Sequence, residues 1–222
     1  NCLLGVCEPA SLLGYNVLIT TSNVHDISEL QSLVESNRVD GMLLTRALED
    51  DRALQYLSQA NFPTALTGTC RYDNIIQVDT DNEGAAEKMT TLLIGKGFRR
   101  FAFLVKDMSY NVDRKRHEGF CRALIKNGIS EKDQLFYNGS IRMEFLDAII
   151  ENIISKKVEC IICGDDEICT MVMSRLQAEG YRIPKDVAIA SLYNSTNLDC
   201  YSPAVTAVSV AASQMGGAAV RQ

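Results

Sequence analysis

Seven short apolar runs recur along the chain, at 16–20 (NVLIT), 40–45 (DGMLLT), 63–67 (PTALT), 100–105 (RFAFLV), 134–138 (QLFYN), 159–163 (ECIIC) and 187–192 (VAIASL). They are near-continuous rather than alternating, the pattern of strands whose two faces are both covered. The covering helices lie between them, with legible ends. Asp26-Ile-Ser-Glu29 reads as a capping box ahead of Leu30, Leu33 and Val34 on one stripe. Asp81 or Asn82 caps a helix running toward Gly97. Asp165 or Asp166 caps another that ends at Gly180, with Pro184 beyond it as a stop. Strand and helix alternate on both sides of roughly residue 99, which implies doubly wound α/β units with right-handed crossovers. No low-complexity linker intervenes, so two similar, closely joined lobes are expected.

The chain has 222 residues, 46% hydrophobic and 23% charged, with a formal net charge of -6. That is ordinary globular composition, and its acidity argues against nonspecific binding to DNA or to anionic lipid. No apolar run approaches the roughly 20 residues that span a bilayer. The chain opens and closes inside apparent helices, without an initiator Met or a signal peptide, so it is expected to be part of a longer protein.

Eight cysteines without dense pairing suggest free, mostly buried thiols in a reducing cytosol. Cys160 and Cys163 lie on a strand three residues apart, so they point to opposite faces, and no metal site is expected. No cofactor or enzymatic activity is expected either. The two histidines, His25 and His117, read as polar surface, and neither a G-x-S-x-G elbow nor a P-loop is present. GKGFRR (95–100) precedes a strand, the reverse of a dinucleotide fingerprint. The adjacent Asp165 and Asp166 lack the convergence that paired acid–base work requires.

In open α/β sheets, ligands bind beyond the carboxyl ends of the strands. That rule selects Thr45-Arg46, Lys106 to Asn111 with Tyr110 inside it, Gly139-Ser140, Gly164-Asp165 and Tyr193-Asn194. The basic stretch NVDRKRHEGF (111–120) opens a helix expected over about 112–127. Arg114, Glu118, Arg122 and Lys126 form an alternating-charge face that belongs in water. Arg116 heads the other stripe, with Gly119, Phe120, Ala123 and Leu124. A guanidinium there is desolvated near the positive end of the helix dipole. Either an anionic or polar ligand offsets that cost, or a nearby Asp pairs with it as a structural bridge.

Taken in order, GYNVLITTSN, RVDGMLLT, VDTDNEGAAEKMTTLLIGKGFRRFAFL, DRKRHEGFCRAL, CIICGDDEICTMVMSRLQAEGYRIPKDVAIASLYNS and SPAVTAVSVAASQMG resemble the effector-binding core of the lactose/galactose-repressor (LacI/GalR) family. The resemblance spans essentially the whole chain. It implies a type I periplasmic-binding-protein-like fold, α/β, with two Rossmann-like lobes carrying parallel sheets around a ligand cleft. The amino-terminal lobe would comprise 1–98 plus 210–222, with its first strand before Asn1, and the carboxy-terminal lobe 99–209. In RHEGF, Arg116 holds the position of the family's effector-contacting Arg. The resemblance has Asp166 capping its helix and Asp165 facing the cleft. Tyr193 stands where the family carries an Asp for sugar hydroxyls or a base, and a Tyr can stack on a ring but cannot accept two hydroxyls as a carboxylate does. Val210 falls at the hinge where several relatives present a Gln, and Pro9 should kink the first helix or delay its start.

The implied ligand residues are thus Arg116, Asp165, Tyr193, Tyr110, Ser140 and Asn194. The implied protein is a cytoplasmic, dimeric transcription repressor sensing a small metabolite such as a sugar. Operator DNA would be read by an upstream helix-turn-helix headpiece. The competing expectation is a periplasmic solute-binding protein serving a transporter or chemoreceptor, which eight unpaired thiols disfavour.

Overall fold

The computed structural model describes residues 2–21, 26–139 and 143–222. In chain order the elements are α1 (Cys2–Leu12), α2 (Ser28–Glu35), β1 (Met42–Leu44), α3 (Arg52–Gln59), β2 (Thr64–Thr67), β3 (Ile76–Val78), α4 (Asn82–Gly95), β4 (Phe101–Val105) and α5 (Asn111–Lys126). They continue as β5 (Leu135–Asn138), α6 (Met143–Ser155), β6 (Cys160–Cys163), α7 (Asp166–Ala178), β7 (Ala188–Ser191), α8 (Thr196–Asp199), β8 (Thr206–Ala207) and α9 (Ala212–Arg221). Two compact units result. The first holds Asn1–Thr80, Ser109–Val112 and Ala211–Gln222; the second holds Asp81–Met108 and Asp113–Val210.

The first unit is built on a parallel sheet of order β1-β2-β3. Leu30, Ala53 and Leu57 pack together, while Leu54, Leu66 and Ile75 form a neighbouring cluster. Helix α1 starts at Cys2 and includes Pro9, so its start is not delayed. Proline removes one amide donor and crowds the carbonyl four residues back, here that of Gly5. The glycines of α1 and α9 let the two helices touch: a Cβ on Gly5 would lie 2.0 Å from the carbonyl oxygen of Ser213. The run at 16–20 forms no strand, and Val17, Leu18 and Ile19 are 39%, 60% and 60% exposed. An apolar run becomes a strand only where a neighbouring strand accepts its backbone hydrogen bonds, and none among the described residues does so. Asp26 does not build a capping box. It accepts from the amide of Ser28 at 2.9 Å, a local turn that places the start of α2 at Ser28.

The second unit carries a five-stranded parallel sheet of order β5-β4-β6-β7-β8. Strand β4 is buried along its whole length. Phe101, Phe103 and Val105 pack under α4 and α5 with Met89, Leu93, Phe120 and Leu124. Ala102 and Leu104 face the opposite layer, with Ile150, Ile153, Val172 and Leu176 of α6 and α7. Cys160 and Cys163 divide the same way, one in each layer. Because α4 lies on β4, it belongs to this unit, and the units part at Thr80 rather than near residue 98. All eight cysteines are free, but only Cys160, Cys163 and Cys169 are buried; Cys7 and Cys200 are exposed. The expectation of mostly buried thiols is corrected, because five of the eight sit on helices or loops outside the sheet core. Among the described residues no helix is long and apolar enough to cross a membrane.

Candidate functional site

The chain leaves β4 toward β5 on one side and returns to β6 on the other. The carboxyl ends of β4 and β6 therefore flank the topological switch of the second sheet, where this architecture leaves a crevice. Three side chains converge there.

Arg116 is 8% exposed in the second turn of α5. Its Nη1 donates to the carbonyl of Gly164 at 2.7 Å, and its Nε donates to Asn82 Oδ1 at 3.2 Å. Asp113, one turn earlier, is 7% exposed and accepts from the amide of Asp107 at 3.1 Å, tying down the loop after β4. Burial pushes the Asp113 carboxyl up, while that amide and the Arg116 charge pull it back. The Arg116 guanidinium is thus held by the Gly164 carbonyl and Asn82 Oδ1, one helical turn from Asp113.

Lys106, beyond β4, pairs with Asp165 at 2.9 Å and with Glu167. Burial works against the ammonium, but the two carboxylates raise its pKa. Asp165 does double service, because its Oδ1 also accepts from the amide of Ile168 at 2.9 Å. It is thus the cap of α7, the role that the resemblance implied for Asp166, which is instead the first helical residue. A carboxylate in extended backbone just before the first turn reaches the free amides, whereas one already inside the helix points away. At the start of α4 the same choice falls on Asp81, which accepts from the amide of Gly84 at 2.8 Å. That releases Asn82 to turn inward to Arg116.

Tyr193 lies half-buried beyond β7, its backbone bracketed by the Ser191 hydroxyl, which donates to the Tyr193 carbonyl at 2.6 Å. The Asn194 side chain is committed locally, donating to Asp199 at 3.0 Å. Tyr110 belongs to the first unit. There its backbone bridges Leu48, and the Arg46 guanidinium lies 5.2 Å from its ring centre. Ser140 lies outside the described residues. Asn82 and Asp113 were not singled out in the sequence. Asp113 carried a signal, an acid three residues before Arg116 on one helix face. Asn82 carried only half a signal, as one of two capping candidates.

The rest of α5 departs from a purely solvated face. Arg114 and Glu118 approach at 3.9 Å, but Arg122 pairs with Glu83, and Lys126 with Glu87 at 2.5 Å, both on α4. His117 is not simple polar surface either. It sits 4.3 Å from the Phe136 ring and 5.9 Å from Phe103. Burial lowers its pKa below the ordinary 6.5, against the nearby Glu131 and Glu118. The folded protein then binds fewer protons than the unfolded chain, so stability is full above 6.5 and falls as pH drops through it. Urea midpoints at about pH 7.5 and about pH 5.5 should show a loss on the acid side that is smaller in His117→Phe. An equal loss in the variant would remove His117 from the account. His25 lies outside the described residues. Among the described residues no group of three or more His, Cys, Asp or Glu side chains is placed to hold a metal.

Residues 90–222 match the periplasmic binding protein-like domain family. The chain is 24% identical over 208 residues to catabolite control protein A of Staphylococcus xylosus, covering 92% of this chain and 63% of that one. It is 26% identical over 220 residues to the HTH-type transcriptional regulator CelR of Thermobifida fusca, covering 96% and 65%. The chain thus spans less than two thirds of these relatives. Among solved structures, a protein described as transcriptional regulator LacI from Bacillus cereus subsp. cytotoxis superposes with a TM-score of 0.92 at 29% identity, covering 99% of this chain and 80% of the other. A transcriptional regulator CelR–cellobiose complex gives 0.87 at 26%, covering 99% and 69%.

Proposed function

This chain belongs to the periplasmic binding protein-like domain family and is of the LacI type, and on that premise we propose that it is the effector-sensing part of a cytoplasmic transcription regulator, a repressor, rather than an enzyme. The observation that carries the reading is the buried Arg116, which donates to the carbonyl of Gly164 and to Asn82 Oδ1 at the β4–β6 crevice. A buried, permanently charged guanidinium at the carboxyl ends of β4 and β6 suits recognition of a small polar molecule and needs no chemistry from its neighbours. The effector is a small saccharide, with Tyr193 offering a ring to stack on, as the cellobiose complex of the CelR relative suggests. Tyr110, Asp165, Asn194 and Ser140 complete the proposed contact set. Asp165 and Asn194 act mainly through the caps and local bonds that hold their loops.

In this reading the parent protein is a homodimer whose upstream headpiece binds operator DNA. The effector acts only through its different affinity for two conformations of the core. A periplasmic solute-binding protein is the weaker alternative, since both curated relatives are named for regulation or control of expression.

A thermal-shift panel of cellobiose, maltose and glucose tests the ligand half. At least one should raise the melting temperature in a concentration-dependent way, as a ligand that binds only the folded state must. No response to any neutral saccharide would sink the sugar assignment. The regulatory half is checked on the parent protein, whose DNA affinity should change when the stabilising sugar is added.

A further inference from the structure

At the opposite end of the second sheet, the connections entering β4, β6 and β7 enclose an open groove of about 550 Å³. That lies within the range of small-molecule sites, roughly 300–1,000 Å³. Its lining includes Phe98, Ile154 and Tyr181, which pack against the two core layers. It also includes Lys96, Lys157, Lys185 and Arg100 with Glu159 and Asp186.

Both carboxylates are already engaged. Glu159 pairs with Arg100 at 2.9 Å and accepts from the amide of Arg99 at 2.7 Å, while Asp186 pairs with Arg182 at 2.7 Å. The helices α4, α6 and α7 end at this side of the sheet, and cations gathered at helix carboxyl ends are ordinarily explained by the dipole. Here arginines fill that role at two of the ends. Arg99 donates to the carbonyls of Ile94 and Phe98 at 2.7 and 2.8 Å, and Arg100 to that of Lys157 at 2.7 Å. Lys96, Lys157 and Lys185 are left over. Among the described residues none of the three makes an ion pair or a side-chain hydrogen bond. Three lysines without a short ion pair, of which Lys185 still acts at longer range on the engaged Asp186, give this groove a local excess of positive charge in a chain of net charge -6.

We propose that this groove is a second binding site, separate from the Arg116 crevice, for an organic phosphate: a flat ring to lie on Phe98 and Tyr181, carrying two or more phosphate groups for the three lysines. The site stands independently of the saccharide reading. ADP is a suitable probe, with pyrophosphate and adenosine as its two halves, titrated calorimetrically into the chain. ADP should bind saturably with a Kd below about 1 mM, and pyrophosphate and adenosine each at least ten-fold more weakly. Replacing all three exposed lysines by glutamine should weaken ADP at least ten-fold, while Arg116→Ala should leave it unchanged. Raising the salt should weaken it as well. The site is overturned by no saturable ADP binding at about 5 mM, or by undiminished binding in the lysine variant with its cooperative melt retained. Loss of ADP binding in Arg116→Ala would move the ligand to the other site and equally overturn it. Pyrophosphate binding as tightly as ADP would overturn the ring-bearing class.

Discussion

Arg116→Ala should abolish saccharide-induced stabilisation while the protein still unfolds cooperatively. Truncating one partner of a buried, hydrogen-bonded charged group costs about 2–5 kcal/mol in binding, because the groups left behind stay desolvated and unpaired. At about 1.4 kcal/mol per decade, that is a loss of roughly thirty-fold to several-thousand-fold in affinity. Within the protein the same change leaves the Gly164 carbonyl and the Asn82 amide oxygen without this donor, beside the Asp113 carboxyl that burial pushes up, and that part of the cost falls on stability. Arg116→Lys should not rescue, since an ammonium cannot span the Gly164 and Asn82 acceptors as a planar fork does. Asn82→Ala should retain part of the response, because the shorter Gly164 contact survives. The measurement is calorimetric titration of the saccharide that the thermal-shift panel selects. An unchanged Kd in Arg116→Ala would leave Arg116 as a structural bridge and nothing more.

The largest stability effect is expected at Gly119, where α5 crosses α4. A Cβ there would sit 2.1 Å from the backbone oxygen of Glu83 and 3.0 Å from the Ala86 Cβ. Two effects of opposite sign compete. In an exposed helix interior, Gly→Ala gains up to about 1 kcal/mol through backbone entropy. Against it stands overpacking, about 1–3 kcal/mol and more when backbone rather than a flexible side chain must move. The clash should win, making Gly119→Ala destabilising and Gly119→Val more so, by about 3 kcal/mol or beyond, a large part of a typical domain's margin. Gly95, near the end of α4, is the internal control: nothing lies within 4 Å of its added Cβ, so Gly95→Ala should be neutral or stabilising. The exposed Arg122–Glu83 and Lys126–Glu87 pairs on the same helices are weakened by solvent and cannot compensate. Urea unfolding of the three variants decides it. If Gly119→Ala matches Gly95→Ala, the helices do not approach as closely as the backbone places them.

Much of this arrangement was legible in the residues. The apolar runs that became β1, β2, β4, β5, β6 and β7 were read directly, because a strand covered on both faces has no polar side to disguise it. Strand β8 was missed because it has only two residues, and β3 because Gln77 interrupts its apolar run and two of its three residues are exposed. The run at 16–20 misled for the complementary reason, since its composition is that of a strand while strand formation also requires a neighbour. Arg116 was found because the spacing of Gly119, Phe120, Ala123 and Leu124 put it at the head of the buried stripe, and all five are buried.

The division follows the range of the interactions. Helix faces, buried runs and helix ends depend on residues within four positions of one another, so the sequence alone determined the α/β class, the parallel sheets and the face of α5 that is buried. The tertiary structure decided what Arg116 touches, across 34 residues to Asn82 and 48 to Gly164. It also decided which of Asp81 and Asn82, and which of Asp165 and Asp166, caps a helix, and that α4 folds onto β4. Those outcomes depend on which distant atoms compete for the same donor, and local periodicity carries no information about them.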